Sequence, residues 1–166
     1  MTATRRRVFF SFHYKPDNWR AAEVRNMGVV EGNPPASDND WESITLGGDT
    51  AIRNWINSQM HGKSCSIVLI GSHTAGRRWI DYEVEKAWNE GKGLLGIYIH
   101  NLKDQFGNQS AKGKNPFGGF TIGGEKLSDI VRSYDPPYKT STSVYAYIRD
   151  NIAAWIEDAI RIRGSH

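Results

Sequence analysis

The chain has 166 residues, 39% of them apolar, and sets 21 lysines and arginines against 18 acidic residues for a formal charge of +3. Such a chain can bury a core as one domain without metals or disulfides, and its mild, dispersed charge excess excludes a nucleic-acid partner as the leading expectation. One cysteine, no cleavable leader and no apolar run near the ~20 residues that cross a bilayer exclude a disulfide framework, a cysteine-built metal site and a membrane partner.

Arg5-Arg6-Arg7 is the only tight basic cluster and is expected to be a solvated lead-in to a strand. Arg7 to Phe12, rich in aromatic and β-branched residues, predicts a central strand buried on both faces. Asn18 to Met27 predicts a helix stopped by Gly28, and Val29-Val30 opens a short second strand. Glu31 to Gly48, rich in Gly, Pro, Asn, Asp and Ser, reads as a long loop in which Trp41 either stacks on a base or, the favoured reading, anchors the loop to the body.

From Asp49 the apolar residues Ile52, Trp55, Ile56 and Met60 recur at helical spacing, and the helix is expected to end near Gly62. Cys65 to Ile70 predicts a buried strand, with Cys65 as a small core residue in a reducing compartment. Gly71 to Gly76 is a polar turn, and a helix follows from about Arg78 to Glu90. Leu94 to Ile99 is another buried strand. Asn101 to Gly124 is too long for an ordinary connection and is expected either to cover a site or to be disordered. Ser143 to Ile162 closes the chain as an amphipathic helix. Residues 1–163 are expected to form one domain, with Gly164-Ser165-His166 a remnant of an expression tag.

Strand and helix alternate throughout, so the expected fold is α/β: a flavodoxin-like, doubly wound parallel sheet with helices on both faces. Its ligand crevice would lie where the chain changes winding direction, at the carboxyl ends of the first and third strands. Ser11-Phe12-His13-Tyr14 would there face Gly71-Ser72-His73-Thr74.

At about 100° per residue from Trp79, Glu83 falls near 40°, on the side of Ile80, Val84 and Ala87, whereas Asp81 and Glu85 fall on the opposite side. A carboxylate turned toward a core is costly unless paired or lining a cavity. Two readings of Glu83 stay open on this basis: an ion pair with Arg77 or Arg78, or a functional acid. No Gly-Lys-Ser/Thr phosphate loop and no G-x-G-x-x-G fingerprint is present. The helix start after Gly76, with Arg77 and Arg78, is the remaining place to attract a pyrophosphate, although exposed arginines are usually only surface. His13 and His73 lie on the expected site loops as possible polar contacts.

Trp79-Ile80-Asp81-Tyr82-Glu83 matches the W-x-x-x-E pattern of the third helix in NAD+-cleaving Toll/interleukin-1 receptor (TIR) domains. Arg7 to Tyr14, Val68-Leu69-Ile70-Gly71-Ser72, Arg77-Arg78-Trp79 and Lys112 to Phe117 together resemble the TIR-like proteins of bacterial Thoeris anti-phage systems. The resemblance implies a cytoplasmic enzyme with NAD+ as substrate and no separate cofactor or metal. It makes Glu83 catalytic, and it implies a substrate pocket including Ser11, Phe12, His13 and Trp79, to which Ser72 and Arg78 are added as binding residues. It further implies an ADP-ribose-derived, cyclic product, a downstream effector that senses that product, and self-association through TIR contacts. The competing expectation is a non-catalytic TIR adaptor that uses the same fold only for assembly.

Overall fold

The computed structural model describes residues 5–32 and 43–166. Its centre is a five-stranded parallel sheet in the order β2-β1-β3-β4-β7, formed by β1 (Arg7–Ser11), β2 (Glu31–Gly32), β3 (Cys65–Ile70), β4 (Gly93–Tyr98) and β7 (Ser133–Tyr134). This is the expected flavodoxin-like, doubly wound order, with β7 in fifth place. β3 and β4 are buried at every position, which explains why both read as unbroken apolar runs.

The alternation of β1 sorts its side chains between two cores. Val8 and Phe10 join Cys65, Ile67 and Leu69 beneath α1 (Tyr14–Arg25) and α5 (Ser141–Gly164). Phe9 joins Val68 and Ile70 beneath α2 (Gly48–Met60) and α3 (Arg78–Asn89). Three helices cover the sheet with an apolar stripe: Ile52, Ile56 and Met60 on α2, Ile80, Val84 and Ala87 on α3, and Val144, Ile148, Ile152 and Ile156 on α5. Cys65 is fully buried and its thiol is pushed up to about 12 by desolvation, so it packs as a hydrophobe.

Several boundaries differ from expectation. α1 begins at Tyr14 rather than Asn18, because Pro16 fits a first helical turn, where its missing N–H is not needed. It ends at Arg25, and Gly28 takes the left-handed φ of +76° in the connection beyond. β2 pairs through Glu31–Gly32, not Val29-Val30. Those two valines instead pack into the α1/α5 core just before the pairing starts. Phe12 lies past the end of β1. Trp41 and most of the long early loop lie outside the described residues.

The 101–124 excursion is built rather than featureless. Asp104 accepts backbone N–H bonds from Phe106 and Asn108 through its Oδ1, each at 2.9 Å, and fixes a tight turn. Farther on, β5 (Thr121–Ile122) and β6 (Glu125–Lys126) form an antiparallel hairpin around Gly123-Gly124, both at positive φ. A single helical turn, α4 (Leu127–Ile130), then leads into the edge strand β7. These short elements were not expected.

Ile148 is fully buried in the core between α5 and the sheet. Ile148→Ala is expected to lower unfolding free energy by about 2–5 kcal/mol in chemical denaturation, through lost burial plus the cavity left behind.

Candidate active site

Parallel pairing sets Ser11, the last residue of β1, beside Val68 of β3, and α3 returns over the sheet from the turn that follows β3. The first turns of α3 therefore pass over the end of β1. Glu83 lies on the sheet-facing side of α3 and is 7% exposed, while Asp81 is half-buried and Glu85 exposed. The Ser11 hydroxyl donates to Glu83 Oε2 in a short hydrogen bond.

This bond decides between the two readings of Glu83. Arg78 is not its partner: the guanidinium pairs with Asp49 Oδ2 on α2 at 2.7 Å. Among the described residues no cation pairs with Glu83. Burial raises the Glu83 carboxyl to about 8, and the Ser11 hydrogen bond offsets only part of that rise. It is therefore mainly protonated at neutral pH.

Glu83 forms one wall of an open cleft of about 340 Å³ lined also by Phe12, His13, Tyr14, Gly76, Arg77, Arg78, Trp79 and Ile80. That volume is near the lower end for small-molecule sites and suits one end of a dinucleotide. Trp79 is half-buried and meets Tyr82 edge-on at 5.6 Å. Its ring also faces two guanidinium groups, Arg78 at 4.7 Å and Arg53 at 5.9 Å. Tyr82 donates to Asn57 Oδ1 at 2.8 Å, so with the Arg78–Asp49 pair α2 ties down the start of α3 at two points.

His13 is driven down to about 4, first by burial and then by the electrostatic influence of Arg77, His73 and Lys15. Its imidazole is neutral at pH 7, and its buried Nδ1 has no hydrogen-bond partner. The cleft thus holds a neutral carboxylic acid and a neutral imidazole beside exposed arginines. The acid can hydrogen-bond to a ligand.

Of the residues expected at the site, Ser11, Phe12, His13, Trp79, Arg78 and Glu83 come together. Ser72 does not line the cleft, and its hydroxyl is bonded to His73 Nδ1 at 3.0 Å on the exposed face of the turn. Arg77 and Ile80 were not singled out as cleft walls, although Arg77 was noted for charge. Only the chain path around the end of β1 brings them in. Among the described residues no group of His, Cys, Asp and Glu is arranged to hold a metal ion, and no helix is long and apolar enough to cross a membrane. A groove of similar size at the opposite end of the sheet is mostly aliphatic, and its only carboxylate, Glu157, is taken by Arg6 at 2.7 Å.

The raised Glu83 carboxyl has a thermodynamic signature. The unfolded chain ionises this group near 4.5 and the folded chain only near 8. The stability associated with keeping the proton is full below about pH 4.5 and is lost progressively as pH rises to about 8. Across that window the melting temperature of the wild type is expected to fall relative to that of Glu83→Gln, which cannot ionise. Parallel pH profiles of the two proteins would contradict the burial of a protonated carboxyl.

Residues 9–104, more than half of the chain, match the family described as the TIR-like domain of Thoeris protein ThsB. A relative from Bacillus cereus (strain MSX-D12) named "Putative cyclic ADP-D-ribose synthase ThsB1" is 40% identical over 117 residues, which cover 68% of this chain. The chain spans 61% of that relative's length. The matched stretch runs from β1 past β4 and contains every wall of the cleft. With the β2-β1-β3-β4-β7 sheet, this match establishes that the chain belongs to the ThsB TIR-like domain family.

Proposed function

We propose that the chain cleaves NAD+ at the bond between nicotinamide and ribose and passes the ADP-ribosyl group to an acceptor within the same molecule, making a cyclic nucleotide signal in anti-phage defence. The observation that carries this reading is the buried Glu83 carboxyl held by Ser11 at the wall of a cleft with a cationic rim. It is supported by the family and by the name of the relative.

The chemistry follows from charge. Nicotinamide in NAD+ is a cationic leaving group: the C1–N bond breaks, its electron pair goes to nitrogen, and a neutral base departs without needing a proton. Positive charge then develops on the ribose, as in glycoside hydrolysis, so a single carboxylate can serve where ordinary glycosidases use two. Glu83 is that group. The cationic ring at the mouth of the buried site favours the ionised carboxyl, and the Ser11 O–H stabilises the anion by donating to it. The carboxylate then holds the ribose hydroxyls and stabilises the oxocarbenium-like state.

Trp79 and Phe12 supply apolar walls for the nicotinamide end, and Arg77 and Arg78 supply positive charge for the pyrophosphate at the rim. A ring nitrogen of the same molecule, or an acceptor hydroxyl that gives up its proton to solvent, bonds to the ribose C1 that nicotinamide has left and closes the product ring. Water would instead give ADP-ribose. A second effector protein would sense the product, and self-association would bring further chain to the open side of the cleft. The adaptor reading leaves the cost of a buried, protonated acid without a purpose.

Purified protein incubated with NAD+, alone and with phage-infected lysate, is expected to release nicotinamide and yield one adenine-containing product by chromatography and mass spectrometry. Glu83→Gln is expected to lose this activity by at least about a thousandfold and Ser11→Ala by about 100- to 1000-fold, the range for removing a charge-stabilising donor. No turnover in either condition, with no NAD+ binding, would overturn the enzyme reading in favour of the adaptor. NAD+ binding at pH 7 is also expected to release protons, because the cationic ring lowers a carboxyl that starts near 8. Calorimetry in buffers of different ionisation enthalpy measures that release. Proton uptake would contradict it.

A further inference from the structure

Asp17 and Arg20, 1% and 3% exposed, form a buried ion pair one turn apart on α1 at 2.9 Å. No step of the proposed chemistry uses them. Arg20 spends its remaining donors on backbone: Nη1 to Pro16 O at 3.1 Å, Nε to Leu102 O at 2.7 Å and Nη2 to Asn108 O at 2.8 Å. It therefore fastens the long loop after β4 to the start of α1, immediately after the cleft residues His13 and Tyr14.

Asp17 reaches the other way. Its Oδ1 takes the Arg20 bond, while Oδ2 is buried, has no hydrogen-bond partner and rests against Gly71. A Cβ at Gly71 would come within 2.0 Å of that oxygen. From the opposite side the same glycine is covered by Gly113, where a Cβ would come within 2.1 Å of the Gly71 carbonyl oxygen. Gly71 is thus gripped between Asp17 and a segment of the loop that Arg20 anchors. It also opens the turn that delivers Gly76, Arg77, Arg78 and Trp79 to the cleft and Glu83 one turn later.

We infer that Asp17 and Arg20 are positioning residues of the active cleft: by gripping Gly71 between α1 and the 101–113 loop, they fix where α3 starts and so hold Glu83 against Ser11. Buried ion pairs seldom add stability over apolar side chains of the same size. An apolar pair could fill the same volume, but it could not hold the carbonyls of Leu102 and Asn108. The assignment deepens the proposed function, and the turnover part of its test rests on that reading.

Three proteins test it: the double variant Asp17→Leu/Arg20→Met, which removes both charges together, Arg20→Lys, which keeps the charge but not the fork of donors, and Gly113→Ala, which presses on Gly71 from the far side and leaves the pair intact. Each is first checked for folding by circular dichroism, and the two single variants keep the test decisive if the double variant does not fold. The expected result for folded Arg20→Lys and Gly113→Ala is a Glu83 protonation midpoint, read by carbon NMR of its carboxyl, that moves down from about 8 toward ordinary glutamate as water reaches a loosened Ser11 contact. Nicotinamide release should fall at least about tenfold in kcat with KM changed less than about threefold. An unmoved midpoint in both folded single variants overturns the inference, whatever happens to turnover. If the wild type fails to cleave NAD+, the proposed function fails, while the midpoint still decides the role of this pair.

Discussion

The hydrogen bond from Ser11 to Glu83 joins the last residue of the central strand to a carboxyl that the fold takes out of water. Desolvation opposes charge there, so the resting group keeps its proton, and it becomes an anion only when something brings compensating positive charge. Much of the architecture serves to make that burial possible. The parallel order sets β1 next to β3, the buried face of α3 folds Glu83 down onto the strand end, and α2 ties α3 through Asp49 and Asn57. A water-filled version of the same site would hold an ordinary, ionised glutamate of little chemical use.

Charge is distributed around that carboxyl in a way that suits a ligand carrying both signs. The inner wall offers an acid whose ionisation a cation promotes, and the rim offers the exposed guanidinium groups of Arg77 and Arg78. A dinucleotide with a cationic base at one end and an anionic pyrophosphate in the middle presents the complementary sequence of charges. The imidazole of His13, also on the cleft wall, is neutral and adds no competing charge.

Much of this was legible in the sequence because it is written in long periods. The unbroken apolar runs of β3 and β4, the stripes of α2, α3 and α5, and the angle of Glu83 against Asp81 and Glu85 all persist over several turns or pairs. The wheel gave the face of Glu83 but could not name its partner. Arg77 and Arg78 were the cations weighed as its partners, whereas Ser11 is brought in by strand pairing 72 positions away. β5, β6 and β7 are two residues each and carry no period at all. Ser72 was expected at the site because its tetrapeptide follows β3, yet its hydroxyl is bonded to His73 and it does not line the cleft. Asp17 and Arg20 look like an ordinary i,i+3 surface pair in sequence, and only the loop folded over them makes them core.

The most direct measurement is a crystal structure of Glu83→Gln with NAD+ bound. The account predicts the nicotinamide riboside end in the cleft beside Phe12 and Trp79, the residue-83 amide within hydrogen-bond reach of the ribose hydroxyls, and the pyrophosphate at Arg77 and Arg78. NAD+ seated elsewhere, as in the groove between Val30 and Ile156, or bound with its adenine end against residue 83, would contradict it.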